Sequence, residues 1–152
     1  MSAPAADRSI AGRYTLDYVL GRGGMGVVWR AVDTLLDRPV AVKEIELPDE
    51  DQDVLRDRAL REARVVARLN HPNVVTLFDV VEDDGRLFLV MELVEAMTLR
   101  DIVRGSGPGA PLRVATVGLE LLDALVAAHR AGIVHRDVKP RNVMVAASGR
   151  VK

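Results

Sequence analysis

His135-Arg136-Asp137-Val138-Lys139-Pro140-Arg141-Asn142 places a carboxylate, cationic side chains and a carboxamide within eight residues. An apolar, helix-like run precedes the octet and Val143-Met144-Val145 follows it. A loop of this make-up suits phosphoryl transfer, which asks a protein for positioning and charge neutralisation rather than covalent help. Asp137 would accept or orient the proton of an attacking hydroxyl, and Lys139 would steady the transferring group as a point charge. Asn142 offers a neutral oxygen to Mg²⁺, which prefers hard oxygen ligands. Arg136 and His135 would be architectural. The competing reading is a polar turn with solvated charges, and a bare His-Arg-Asp triplet would favour it. The whole octet at fixed spacing, followed by apolar residues, favours a site.

The 152 residues suffice for one domain with a sizeable core, and 49% hydrophobic content is that of a globular chain. A formal net charge of −1 gives no general reason to expect nucleic acid or an anionic membrane as partner. With no cysteine, disulfides, thiolate catalysis and cysteine-based metal sites are excluded. Met1 to Asp7 lacks the cationic and apolar regions of a secretory signal. The densest apolar segment, Leu87 to Val94, contains Glu92 and is too short to span a bilayer. The expectation is a soluble, cytoplasmic protein.

Upstream of the octet, Val114 to Ala131 has the clearest helical pattern, with Leu122, Leu125, Val126 and His129 at i, i+3, i+4 and i+7. Gly132 suits the position just past its end. Residues 105–111 are glycine- and proline-rich loop, and Thr98-Leu99-Arg100-Asp101 is a capping box opening a short helix. Val74 to Val81 and Leu87 to Met91, joined by Asp83-Asp84-Gly85-Arg86, predict a hairpin. Asn70-His71-Pro72-Asn73 stops a charged helix expected over 49–69, because the residue before a proline leaves the α region. On that helix Val54, Ala59, Glu62, Ala63 and Val66 fall close to one face. The three histidines, at 71, 129 and 135, have no zinc-ligand spacing.

Nearer the start, Gly21-Arg22-Gly23-Gly24-Met25-Gly26-Val27-Val28 is a G-x-G-x-x-G-x-V. Dinucleotide-binding folds share the glycine pattern, but there the third glycine opens a helix. Here strand formers follow, Val27 to Val32, and Arg38 to Lys43 supplies a further strand after a short turn. Strand, glycine loop, strand suits a flap whose backbone N–H groups lie over phosphates. Lys43 on its half-buried strand needs an anion near its head group, although single strand lysines are more often solvated edge charges. Glu62 is the candidate carboxylate; the alternative is a surface helix with an ordinary Arg58–Glu62 pair. Residues 1–13 read as a disordered leader.

Taken together these residues resemble the protein kinase superfamily, most closely the bacterial eukaryotic-like (Hanks-type) Ser/Thr kinases. The resemblance runs from about Tyr14 to Lys152, with Lys43 preceding Glu62 by 19 residues and Lys139 two after Asp137, the Ser/Thr pattern. It implies an α+β, kinase-like fold: an N-lobe with a five-stranded antiparallel sheet and one helix over 14–93, then the beginning of a mainly helical C-lobe over 94–152. It implies ATP and Mg²⁺ as cofactors and protein Ser/Thr hydroxyls as substrates. Gly21, Arg22, Gly23, Gly24, Met25, Gly26 and Val27 would cover the phosphates. Leu20, Val28 and Ala41 would roof the adenine and Met144 would floor it. Lys43, oriented by Glu62, would hold the α/β-phosphates. Met91 would be the gatekeeper, with the backbone of Glu92 and Val94 pairing with adenine. Val66 and His135 would belong to an apolar spine. Asp137, Lys139 and Asn142 would be catalytic, Asn142 also a metal ligand.

Two departures matter. Ala96-Met97 stands where relatives often have glycine, and the sequence stops before the D-F-G whose Asp is the family's main magnesium ligand. The expectation is therefore the front part of a Ser/Thr kinase, inactive as a 152-residue chain, with uncovered apolar surface on the Val114–Ala131 helix. The second reading is a non-catalytic ATP-binding or interaction module.

Overall fold

A computed structural model describes residues 8–23, 26–45 and 52–152. The chain divides into two compact units, one of residues 1–67 and 77–93, the other of residues 68–76 and 94–152.

The first unit is built on an antiparallel sheet. Its strands are β1 (Ser9–Ile10), β2 (Tyr14–Gly23), β3 (Gly26–Asp33), β4 (Arg38–Ile45), β5 (Leu77–Asp83) and β6 (Arg86–Glu92). They lie in the order β1-β2-β3-β4-β6-β5. The sheet thus has one strand more than the five expected. Ser9 pairs with Thr15 and Ile10 with Tyr14, so the leader expected over 1–13 gives way to structure at residue 9. Ile10 explains why: it is fully buried, and that burial offsets the entropy of ordering the edge. Residues 1–7 lie outside the described residues.

Alternation across the strands selects the core. Val40 and Val42 of β4 and Phe88 and Val90 of β6 are fully buried, and they pack with Ile10, Tyr14, Leu16 and Ala31. Trp29 and Val81 close the edge of this cluster. Asp84 and Gly85, both at positive φ, turn β5 into β6, as the Asp-Gly pair favours. β5 starts at Leu77, three residues later than expected.

A polar corner ties the strand ends together. Arg13 clamps buried Asp33 through Nε at 2.8 Å and Nη2 at 2.7 Å, and Asp33 also accepts from the backbone N–H groups of Leu35 and Leu36. The Tyr14 hydroxyl donates to Asp79 at 2.7 Å. The Arg13 hydrogen bonds hold the Asp33 carboxyl below its ordinary range. Burial, then the bond to Asp79, pushes the Tyr14 hydroxyl well above its usual value.

Helix α1 (Gln52–Val66) is shorter than the 49–69 expected, and its predicted start lies outside the described residues. Its expected inward face is met in part, Ala59 being half-buried. Ala63 is buried and Val66 half-buried, whereas Val54 and Glu62 are exposed. The helix meets the sheet through Arg56, whose Nη1 lies 2.9 Å from Glu82 of β5.

The second unit contains β7 (Ala96–Thr98), α2 (Leu99–Ser106), α3 (Pro111–Arg130) and β8 (Met144–Ala146). Thr98 caps α2 as expected: its Oγ1 accepts from the Asp101 N–H and donates to the Asp101 carboxylate at 2.6 Å. α3 ends where Gly132 takes φ 76°. A core of Val143, Val145 and Val151 packs against Leu99, Ile102, Val117 and Leu121. On α3 the packed stripe is Val117, Leu121, Ala124 and Ala128, while Leu122 and Val126 of the predicted stripe are 59% and 44% exposed. Small alanines allow close approach, which hydrophobicity alone does not reveal. No helix among the described residues is long and apolar enough to cross a membrane.

Candidate functional site

In the first unit, β2 and β3 form the hairpin that carries the glycine motif, with Gly21 opposite Val28, Arg22 opposite Val27 and Gly23 opposite Gly26. Gly24 and Met25 lie outside the described residues. Gly26 is at φ 111°, a backbone conformation that glycine alone adopts without strain. Gly21 and Gly23 differ: neither has a positive φ, and a Cβ on either would meet no atom of the described residues within 4 Å. Packing inside the unit therefore gives no reason for glycine at these two positions.

The register places the other candidates on one face. Val28 lies opposite Lys43, Lys43 is two residues from Ala41, and Ala41 lies opposite Met91. This face is opposite the one holding Val40, Val42 and Val90 in the core. Leu20 sits at an irregularity in the β2–β3 pairing, between Val19 and Gly21, and is 46% exposed. Glu92 ends β6 opposite Val40.

Lys43 and Glu62 do not pair. The Glu62 carboxylate is held by Arg58 Nε at 3.0 Å, one turn earlier on α1. Among the described residues Lys43 has no carboxylate partner. The alternative reading of Glu62, an i,i+4 pair on an exposed helix face, is the arrangement present. Ala63, one position on, takes the buried place, and a 100° step per residue carries Glu62 away from it.

In the second unit the octet forms a compact polar loop. Asp137 Oδ2 accepts from Lys139 Nζ at 2.7 Å and from Asn142 Nδ2 at 3.1 Å. Asn142 Nδ2 also reaches the Asp137 carbonyl at 2.9 Å, and the Asn142 N–H donates to the Lys139 carbonyl at 2.8 Å. The Asp137 N–H donates to His135 Nδ1, giving that histidine the architectural part expected of it. Arg136 is at φ 62°, a left-handed conformation uncommon for a side-chain-bearing residue outside functional turns. Lys139, first, and Asn142 hold the Asp137 carboxyl below its usual range. Oδ2 is thus doubly engaged, whereas Oδ1 has no hydrogen-bond partner among the described residues.

Behind this loop, Met144 of β8 pairs with Thr98 of β7, and its backbone bonds to Lys152 in both directions at 2.8 Å. A clamp that motif reading did not foresee anchors the segment before β5. Asn73 Nδ2 donates to Glu120 Oε2 and to the Val151 carbonyl, each at 2.8 Å, and the Val151 N–H donates to the same Glu120 oxygen at 2.9 Å. His71 Nδ1 accepts the Asn73 N–H, so Nε2 carries the hydrogen shared with Asp123 at 3.2 Å. The His-Pro-Asn triplet was the one signal of this clamp; its partners, 47 to 78 residues away, gave none.

Bare backbone at Gly21 and Gly23 and a lysine without a carboxylate partner among the described residues share one unit, a donor set that suits the phosphates of a nucleoside triphosphate. They do not make a metal cage. Among the described residues no three acidic or histidine side chains come together to hold an ion, and Asn142 points its amide nitrogen at Asp137.

Residues 14–152 match the family model described as protein kinase domain. The chain is 43% identical over 147 residues to the probable serine/threonine-protein kinase PknB of Corynebacterium glutamicum, covering 94% of this chain and 23% of that protein. It is 37% identical over 145 residues to the serine/threonine-protein kinase PrkC of Bacillus subtilis, covering 95% and 22%. The crystal structure of the M. tuberculosis PknI kinase domain superposes with a TM-score of 0.85 at 31% identity, covering 98% of this chain and 59% of that one. The chain thus spans less than a quarter of the length of these two curated relatives.

Proposed function

The chain belongs to the protein kinase family, of the bacterial Ser/Thr type, and from that premise we propose that its residues serve ATP-dependent phosphorylation of protein Ser/Thr hydroxyls. The observation that carries this reading is the state of Asp137: one carboxylate oxygen is occupied by Lys139 and Asn142, and the other is open to a substrate hydroxyl.

ATP, when bound, supplies the phosphoryl group and its leaving group. Asp137, kept ionised by its two donors, orients the incoming hydroxyl and takes its proton through Oδ1. Lys139 stands beside that oxygen pair as a cation able to turn toward developing negative charge. Asn142 fixes the loop through the Asp137 carbonyl and carboxylate together. The glycine hairpin offers main-chain N–H groups, and the absence of Cβ atoms at Gly21 and Gly23 lets phosphates approach it closely. Lys43 neutralises phosphate charge from the neighbouring strand position. Val28, Ala41 and Met91 contribute apolar surface to the base, with Leu20 on β2 of the same sheet. Mg²⁺ would enter with ATP, and the described residues form no cage that would hold it on the chain by itself.

The test uses the native protein that carries this chain. Asp137→Asn should lower kcat for transfer of phosphate to protein serine or threonine by about 10²–10⁴-fold while leaving ATP binding nearly unchanged. Full activity in that variant, or phosphate appearing on no hydroxyl side chain, would reject the reading.

A second reading attaches to the 152-residue polypeptide by itself, as a non-catalytic ATP-binding or interaction module. The Arg58–Glu62 pair, in place of Lys43–Glu62, and the lack of a clustered metal site among the described residues favour it.

A further inference from the structure

The second unit holds an open groove of about 760 Å³ that none of the roles above uses. One wall is the start of α3 with Leu112, Arg113 and Val117; the other is Pro72 and the turn Ser148–Arg150. Its apolar surface is accessible, Leu112 being 81% exposed.

The exposed charges on its rim are positive. Arg113 and Arg150 are exposed and enter no ion pair among the described residues. They lie on neighbouring parts of the rim: Arg113 Nη1 comes within 3.8 Å of the position a Cβ would take on Gly149, next to Arg150. The one carboxylate in the lining, Glu120, is half-buried and engaged by Asn73 and the Val151 N–H. The Thr116 hydroxyl is spent on the Leu112 carbonyl. What the groove presents is apolar surface beside two uncompensated guanidiniums, and guanidinium pairs well with carboxylates in two-pronged geometry.

We propose that this groove docks an acidic peptide segment carrying an apolar anchor residue. The anchor packs on Leu112 and Val117, and carboxylates on either side of it meet Arg113 and Arg150. The open form favours a peptide, because a small ligand needs most of its surface enclosed and this groove leaves one side to solvent. The clamp of Asn73, Glu120 and Val151 keeps the two walls together, so the groove exists before a ligand arrives.

The test is selection of random dodecapeptides displayed on phage against the chain, followed by anisotropy titration of a labelled peptide made to the consensus. The expected consensus is an aliphatic or aromatic residue flanked by Glu or Asp. Arg113→Glu with Arg150→Glu should weaken binding about tenfold or more, and Leu112→Asp should do so as well with the arginines intact. All three positions are exposed, so far-UV circular dichroism should be unchanged. The proposal is overturned by a basic or absent consensus, by binding that survives the double charge reversal, or by equal binding of a poly-glutamate or an oligonucleotide without the anchor. Loss of kinase activity in Asp137→Asn has no bearing on this result, so the two readings stand or fall separately.

Discussion

Asp33 shows how a single side chain can organise a corner of the sheet. It is buried, yet it is held by both prongs of Arg13 and by two backbone N–H groups, so its charge is matched at nearly every lone pair. Because its folded-state pKa is depressed, ionised Asp33 contributes stability that is complete above the unfolded carboxylate value of about 3.9 and is lost as pH falls through that value toward the folded one. Thermal melts from neutral to strongly acidic pH should find Asp33→Asn less stable than the parent at pH 7, with the gap closing below about pH 4. A gap that stays constant into acid would mean that packing, not charge, holds the corner. Nothing at positions 13 and 33 announced this pair in the sequence, since the 20-residue separation and the 65 residues between Tyr14 and Asp79 correspond to no local pattern. By contrast Asp137, Lys139 and Asn142 lie within six residues, and the octet made their proximity legible.

At the scale of elements, α3 shows how periodicity can find a helix and still miss its orientation. Both α1 and α3 lie where apolar and charged spacing put them, but on α3 the buried stripe runs through Ala124 and Ala128 rather than Leu122 and Val126. Leucines and valines at helical spacing mark an apolar face; which face a neighbour covers depends on that neighbour. Here Val143, Val145 and Val151 supply it. The exposed stripe predicts a sharp contrast in the 152-residue chain. Leu119→Glu with Leu122→Glu should change stability by less than about 0.5 kcal/mol and raise solubility. Ala128→Glu should cost several-fold more, because it buries a charge without a partner. Equal destabilisation by the two changes in a denaturant titration would show that the helix packs the other way. On α1 the expected face holds at Ala59, Ala63 and Val66, and only Val54 and Glu62 at its edge turn out to solvent, Glu62 pairing with Arg58.

For the whole molecule, the division into two units separates what each can do by itself. The first brings the glycine hairpin and Lys43 into one sheet, and the second brings Asp137, Lys139 and Asn142 into one loop. The 152 residues provide no clustered acidic metal site among those described, and Glu62 is engaged elsewhere. The purified 152-residue polypeptide should therefore have little or no kinase activity with Mg-ATP and a generic basic protein. Robust phosphorylation, abolished by Asp137→Asn, would overturn that expectation.

Reading the residues alone determined the family, the strand–glycine loop–strand order, the capping box at Thr98 and the make-up of the His135–Asn142 octet. Each of these is short in sequence, so bonded geometry and local hydrogen bonds bring its parts together whatever the rest of the chain does. Tertiary structure decided the buried stripe of α3, the Arg13–Asp33 corner and the groove between α3 and the Ser148–Arg150 turn. Those depend on which surfaces meet across tens of residues, and that choice belongs to the packed whole: burial and pairing of groups remote in sequence outweigh local preferences of a few tenths of a kcal/mol, roughly the worth of one exposed ion pair.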